Sequence, residues 1–187
     1  MSEGPATPLV TAPVAAGERQ AGTHSATEEV VVLDYGGQYS QLIARRVRDC
    51  GVFSELLPHD TSPDELARRA PRGIVLSGGP ASVYADGAPR LDRRLLELGI
   101  PVLGICYGMQ LLVHELGGRV EQAEVGEFGR SDLHVAEPGV LLRDMPAEQT
   151  CWMSHRDTVF APPPGFTALA SSSSSPTPVP RLKAPRR

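Results

Sequence analysis

The stretch PVLGICYGMQ, residues 101–110, joins a short strand to a helix with no loop between them. Residues 102–105 form an apolar run typical of a strand that is buried on both faces. Helical spacing follows over 107–116, and Gly117 ends that helix. The pattern Gly-x-Cys-x-Gly puts small residues two positions before and after Cys106. The chain can therefore turn tightly and hold this side chain at the edge of the sheet.

The same alternation of strand and helix fills the preceding part of the chain. Apolar or β-branched runs predict strands over residues 30–34 and 74–76, and residues 52–57 are predicted to form the strand between them in sequence. Helical spacing predicts helices over 41–50 and 91–98. A further helix is predicted after Ser62, which is suited to cap it, with Pro63 in its first turn. Strands that alternate with helices at this spacing indicate an α/β fold with a doubly wound, mostly parallel sheet.

The two ends of the chain lack this pattern. Residues 1–28 are rich in Ala, Pro, Thr and Gly without periodicity, so we predict a disordered segment there. Residues 171–187 run from serines into a Pro/Arg-rich stretch that holds the only lysine, Lys183, and we predict a disordered or aberrant tail. The domain is thus predicted over 29–170. After residue 119 its pattern changes to short β segments such as 133–135 and 151–153.

The composition excludes several classes of protein. The 187 residues suffice for one domain with a sizeable core. A net charge of -4 and an aromatic content of 5% argue against nucleic-acid binding. No apolar run approaches the ~20 residues of a membrane-spanning helix, and no secretory signal is evident. The cysteines form no metal-binding pattern, and Cys50 and Cys151 fit buried free thiols. We therefore expect a cytoplasmic protein without a bound metal.

Cys106 is the candidate nucleophile. Its place at the start of a helix predicts a lowered thiol pKa, because the helix dipole and the unpaired N–H groups favour the thiolate. The loop Ser77-Gly78-Gly79-Pro80 follows another strand, and its glycines would let backbone N–H groups approach a ligand. One such N–H, together with that of Tyr107, would form an oxyanion hole. Taken alone, the same residues also fit a small buried cysteine and a plain glycine-rich turn.

Four segments in order along the chain resemble the glutaminase domains of GMP synthases, which are class I glutamine amidotransferases. The segments are LDYGGQYSQLIARR (33–46), LSGGPASVY (76–84), GICYGMQ (104–110) and WMSH (152–155). The tyrosine after the cysteine and the WMSH run are more specific to GMP synthases than to other amidotransferases of this class. The resemblance covers about residues 30–170. It implies a flavodoxin-like, three-layer α/β architecture that is incomplete at its C-terminus.

The resemblance also implies the chemistry. Cys106 would attack the side-chain amide carbon of glutamine, giving a thioester and ammonia, and water would then release glutamate. Gly79 and Tyr107 would offer N–H groups to the oxyanion, and Gln110 would help to bind the glutamine. The domain itself would need no cofactor. ATP and Mg²⁺ would belong to an ATP-pyrophosphatase (synthetase) domain, in which the ammonia aminates XMP to GMP in purine biosynthesis. A separate chain that carries this domain is the partner that the resemblance allows.

The chain departs from this family in its catalytic triad. A cysteine of this type needs a histidine base and an orienting carboxylate. The family takes both from a His-Pro-Glu segment, which this sequence lacks. We expect His59 and His134 to be surface or core residues. His114 lies more than two helical turns after Cys106 and should point elsewhere. We expect His155 to lie near the site without being the base.

Two consequences follow for the 187-residue chain. We expect a domain truncated at its C-terminus, through a frameshift or an early stop in the coding sequence. We also expect little or no glutaminase activity, although the resemblance is to an enzyme. The alternatives are a non-catalytic module that binds glutamine or a synthetase partner, and a nonfunctional fragment.

Overall fold

The computed structural model describes residues 9–10 and 28–172, and predictions made for the other terminal residues lie outside this part of the chain. Its helices and strands, in chain order, are β1 Leu9–Val10, β2 Glu29–Asp34, α1 Ser40–Asp49, β3 Phe53–Pro58, α2 Pro63–Arg69, β4 Gly73–Leu76, α3 Arg94–Glu97, β5 Val102–Gly104, α4 Tyr107–Glu115, β6 Arg119–Val135, β7 Glu148–Ala161 and β8 Ala170–Ser172.

Five strands form the main sheet in the order β1-β5-β4-β2-β3. Strands β2 to β5 run parallel, whereas β1 pairs antiparallel with β5, Leu9 lying opposite Gly104. This confirms the predicted mostly parallel sheet. Strand β1 lies within residues 1–28, where the sequence predicts disorder, so its backbone pairing is a difference from that prediction. Because parallel strands end at one edge, the segments that follow β2, β4 and β5 meet there.

Helices cover both faces of the main sheet. Alternate residues of a strand point to opposite faces. Val32 of β2 packs in a cluster with Ala44 of α1 on one face. Its neighbour Leu33 belongs to the larger core on the other face, together with Leu66 of α2 and Leu112 of α4. The arrangement is the predicted three-layer α/β architecture.

A serine side chain caps the start of α2, whereas α3 has no side-chain cap. The Ser62 side chain accepts a hydrogen bond from the Glu65 N–H at 3.2 Å, and proline occupies the first turn of α2, as predicted. The predicted helix over 91–98 is shorter in the structure and spans only Arg94–Glu97. The Asp92 carboxylate accepts the N–H of Arg94 at 3.0 Å just before this helix, whose N-cap residue, Arg93, makes no side-chain capping bond.

The segment after α4 is built from longer strands than predicted. Strand β6 has 17 residues and β7 has 14, and they pair antiparallel in a second sheet of order β7-β6-β8. Residues 148–156 alternate between exposed and half-buried positions, as expected of a strand with one face in solvent. Strand β8 pairs with β6 and ends at Ser172, beyond the predicted boundary at residue 170.

Candidate active site

Cys106 occupies a strained turn between β5 and α4. Its φ of 51° and ψ of -113° lie in a region that residues with a Cβ rarely adopt. The turn brings backbone atoms very close to the two glycines that flank Cys106, Gly104 and Gly108. A Cβ on Gly104 would lie 2.6 Å from backbone atoms of Met109, and a Cβ on Gly108 would collide with the carbonyl oxygen of Leu76. The turn therefore has the geometry of the predicted nucleophile elbow.

Hydrogen bonds from the neighbouring strand hold this turn in place. The Ile105 N–H donates to the carbonyl oxygen of Leu76 at 3.0 Å, and the Gly108 N–H donates to that of Ser77 at 3.1 Å. The Met109 N–H donates to the Cys106 carbonyl oxygen at 3.0 Å, which starts α4. The end of β4 thus supports the strained residue from both sides, and this support sustains an unfavourable backbone conformation.

The thiol of Cys106 is half-buried, and its pKa lies above the ordinary range. Burial is the main cause, and the negative charge of Asp157 adds to it. A hydrogen bond from the Tyr107 backbone N–H acts in the opposite direction and is outweighed. The predicted lowering of the thiol pKa was therefore wrong, because burial and a nearby carboxylate exceed the effect of the helix terminus.

The loop after β4 lies directly against the cysteine. A Cβ built on Gly78 would lie 3.5 Å from the Cβ of Cys106 and 4.0 Å from its Sγ. At the next position, a Cβ on Gly79 would lie 2.5 Å from the carbonyl oxygen of Tyr35. A residue with a side chain could not take the place of Gly79 without moving this backbone. The loop therefore presents backbone to the thiol, as the sequence predicts.

A cluster of polar side chains fixes the base of this loop. The Ser40 hydroxyl lies 2.7 Å from the Asp34 carboxylate and 3.0 Å from the Ser77 hydroxyl. The Ser77 hydroxyl in turn accepts the N–H of Tyr35 at 3.0 Å. These residues belong to the segments 33–46 and 76–84. No role was predicted for these side chains from the sequence, because the bonds join positions 37 and 42 residues apart.

Two cavities meet at Cys106, with volumes of about 360 and 340 Å³. Both are in the size range of small-molecule sites. Their shared lining consists of Cys106, Gln110, Ser154, His155 and Asp157. The larger cavity is otherwise mainly apolar, lined by residues that include Leu103, Ile105, Met109, Leu133, Leu141, Trp152 and Met153. The smaller one is more polar and adds Gly79, Pro80, Ala81, Ser82, Gln122, Phe128 and Arg156.

The residues predicted to bind substrate lie around the polar cavity. Gly79 and Gln110 line it together with Cys106. The buried Gln110 side chain donates from Nε2 to the carbonyl oxygen of Asp157 at 2.6 Å. The backbone N–H of Tyr107 reaches the cysteine sulfur, while its phenol donates to the Pro89 carbonyl oxygen at 2.6 Å. The structure thus brings these residues together, and their individual roles stay predictions.

The histidines divide as the sequence predicts. The His59 ring packs on Tyr35, and the His114 ring packs edge-to-face on Tyr84, each with a centroid distance of 5.4 Å. His134 is exposed on β6 beside Glu148. His155 is different, since it lines both cavities beside Cys106.

Two other cysteines differ in exposure. Cys50 is exposed at the end of α1, so its predicted burial was wrong. Cys151 is half-buried on β7, where its thiol lies 3.5 Å from the Ser131 carbonyl oxygen. In the described ranges no disulfide joins these thiols to each other or to Cys106.

Asp157 is a site residue that was not predicted from the sequence. Its side chain is only 4% exposed, and it bonds to the loop after Gly79 while its carbonyl oxygen bonds to Gln110. The available signal was its position as the last acidic residue of the chain, directly after the WMSH run and one arginine. Across residues 9–10 and 28–172, no group of three or more His, Cys, Asp or Glu side chains could hold a metal ion. Nor is any helix in that part of the chain long and apolar enough to cross a membrane.

Residues 31–180 match the family of class I glutamine amidotransferases. The chain belongs to this family. Among curated proteins it is 52% identical over 150 residues to the GMP synthase [glutamine-hydrolyzing] of Lactobacillus gasseri, covering 80% of this chain and 29% of that protein. To the same enzyme of Bacillus pumilus it is 51% identical over 154 residues, covering 82% and 30%. The chain therefore spans about three-tenths of the length of these relatives.

Solved structures agree with the fold. A protein from Thermoplasma acidophilum, described as a candidate GMP synthase subunit, has a TM-score of 0.65 and 32% sequence identity, covering 81% of this chain and 76% of that one. A glutamine amidotransferase from Thermotoga maritima has a TM-score of 0.59 at 20% identity, covering 80% and 69%. The second likeness concerns the fold alone.

Proposed function

We propose that this chain is the glutamine-hydrolysing portion of a GMP synthase. The observation that carries the proposal is the strained turn at Cys106, with a φ of 51°, set beside the Gly78-Gly79 loop and two ligand-sized cavities. The identity of about 50% to glutamine-hydrolysing GMP synthases adds the choice of substrate. An amide-hydrolysing thiol needs this arrangement, because the nucleophile must be exposed to substrate while backbone N–H groups face the developing oxyanion.

In the proposed reaction, the Cys106 Sγ attacks the side-chain amide carbon of glutamine and its proton passes to a base. The tetrahedral oxyanion would receive N–H groups of Gly79 and Tyr107. The C–N bond then breaks, ammonia takes up the proton, and water hydrolyses the thioester to glutamate. The amino-acid end of the substrate would then occupy the polar cavity that Gln110 helps to line. The raised thiol pKa makes the base essential, since little thiolate is present at neutral pH.

The 187 residues contain no histidine after His155 and no carboxylate side chain after Asp157. The His-Pro-Glu segment of the family is not among these 187 residues, so we propose that a polypeptide limited to them hydrolyses glutamine poorly. Loss of a triad base typically lowers turnover by about 10³ to 10⁶.

We further propose that the ammonia serves amination of XMP on an ATP-pyrophosphatase unit. ATP and Mg²⁺ would act in that unit, the glutaminase step would use no cofactor, and both would occur in the cytoplasm. An ATP-pyrophosphatase (synthetase) unit is the partner that we propose for the ammonia; the present chain spans 29% of the length of its first relative.

Glutamate release by the purified chain tests the proposal, with Cys106→Ala as the matched variant. We expect a rate that is slow and abolished by the substitution, together with slow glutamine-protectable alkylation of Cys106. A rapid rate that depends on Cys106 would overturn the proposed impairment. A chain in which glutamine neither reacts nor protects Cys106 would overturn the glutaminase assignment.

A further inference from the structure

A buried carboxylate of the second sheet reaches the loop beside the nucleophile. The Oδ2 of Asp157 accepts a hydrogen bond from the Ser82 hydroxyl at 2.6 Å and from the Val83 N–H at 3.2 Å. Ser82 and Val83 follow Gly79 by only three and four positions. The carboxylate therefore fixes the far end of the same loop whose near end lies against Cys106.

The backbone of Asp157 reaches the nucleophile helix as well. Its carbonyl oxygen accepts the Gln110 Nε2 at 2.6 Å in a buried bond. The N–H of Gln110 donates to the carbonyl oxygen of Cys106 at 3.0 Å, so this glutamine lies one turn along α4 from the nucleophile. One residue of β7 thus connects the Gly79 loop to the start of α4.

We propose that Asp157 is a positioning residue, which locks the Gly79 loop to α4 and keeps a negative charge facing the Cys106 thiol. This inference rests on the proposed function, because positioning has meaning only if Cys106 is the nucleophile. It assigns a role to a side chain outside the predicted nucleophile, oxyanion and substrate-binding residues.

The surroundings of the carboxylate support the electrostatic part of this role. Its Oδ1 is buried without a hydrogen-bond partner in the described part of the chain. None of the ion pairs found among those residues involves Asp157. Besides Asp157, the titratable and charged groups lining the same cavities are Cys106, Cys151, His155 and the exposed Arg156. Asp157 raises the pKa of both Cys106 and Tyr107, as expected of a charge that is poorly screened by solvent.

The test measures the alkylation rate of Cys106 by iodoacetamide against pH, followed on its own peptide by mass spectrometry. Asp157→Asn keeps the shape and an acceptor oxygen but removes the charge. We expect its alkylation midpoint to fall by about half a pH unit, which is about a threefold faster rate at a fixed pH below the midpoint. Asp64→Asn is the matched control, because its side chain is 81% exposed, and it should leave the midpoint unchanged.

The positional part is tested by amide hydrogen exchange. Ser82→Ala keeps the charge and removes one bond to Asp157, so we expect exchange across residues 77–83 to become several-fold faster with an unchanged alkylation midpoint. Asp157→Ala should accelerate exchange further; if it fails to fold, Ser82→Ala and Asp157→Asn carry the test.

An Asp157→Asn midpoint equal to that of the parent would overturn the electrostatic role. Unchanged exchange over 77–83 in Ser82→Ala would overturn the positional one. A merely structural aspartate would change thermal stability and leave the pH profile in place. Neither measurement uses glutamine, so a chain that fails to hydrolyse glutamine still gives a result here.

Discussion

Gly108→Ala is expected to disrupt the turn that holds Cys106. The new Cβ would collide with the Leu76 carbonyl oxygen and would lie 2.6 Å from the Leu76 Cβ and 2.7 Å from its carbonyl carbon. Two of these atoms belong to the backbone of a central strand, so rotation of a side chain cannot relieve the overlap. The helix start must move instead, which stretches the bond from the Gly108 N–H to Ser77. Overpacking of this kind costs about 3 kcal/mol.

Thermal unfolding monitored by circular dichroism measures this cost. A loss of about 3 kcal/mol corresponds to a fall in Tm of about 10 °C for a domain of this size. Gly73→Ala is the matched control, because Gly73 lies in β4, the strand against which Gly108 packs. Its Cβ would lie 3.8 Å from the Pro101 carbonyl oxygen, an ordinary contact, so its Tm should stay close to that of the parent. Equal Tm values for the two variants would refute the close-approach argument.

Three further predictions concern other parts of the chain. Burial raises the pKa of Cys106 and of Tyr35, so the folded state favours their protonated forms. The urea concentration at the unfolding midpoint should therefore stay constant up to about pH 8.5 and fall above it. A midpoint that stays constant up to about pH 10 would contradict this prediction. Ser62→Ala removes the cap of α2 and should cost about 1 kcal/mol in urea unfolding, whereas Thr61→Ala outside the helix should cost less. Trp152, the only tryptophan, is 81% exposed, so its emission should shift little on unfolding; a strongly blue-shifted native spectrum would show that it is covered.

Local patterns were enough to predict the parallel strands of the main sheet and the turn at Cys106. Each of these structures is predicted by a pattern only a few residues long, namely the apolar runs at 30–34 and 74–76 and the Gly-x-Cys-x-Gly pattern. Ser62 likewise caps α2 through a bond that spans three residues. The length of β6 and β7 escaped prediction because their polar, solvent-facing positions interrupt every apolar run. Their pairing with each other, rather than local propensity, extends them.

Local sequence patterns do not predict the negative charge that Asp157 places at the site. Asp157 lies 74 and 75 residues from its partners in the loop and 47 from Gln110. Only the packing of the second sheet on the first brings this carboxylate beside Cys106. The effect of the helix terminus alone predicts a lowered thiol pKa. This direction is wrong, because burial and the Asp157 carboxylate both raise the pKa. Burial and this carboxylate both favour the protonated thiol. The protonation of Cys106 is therefore controlled by tertiary packing, whereas the position of its side chain is set by the local turn.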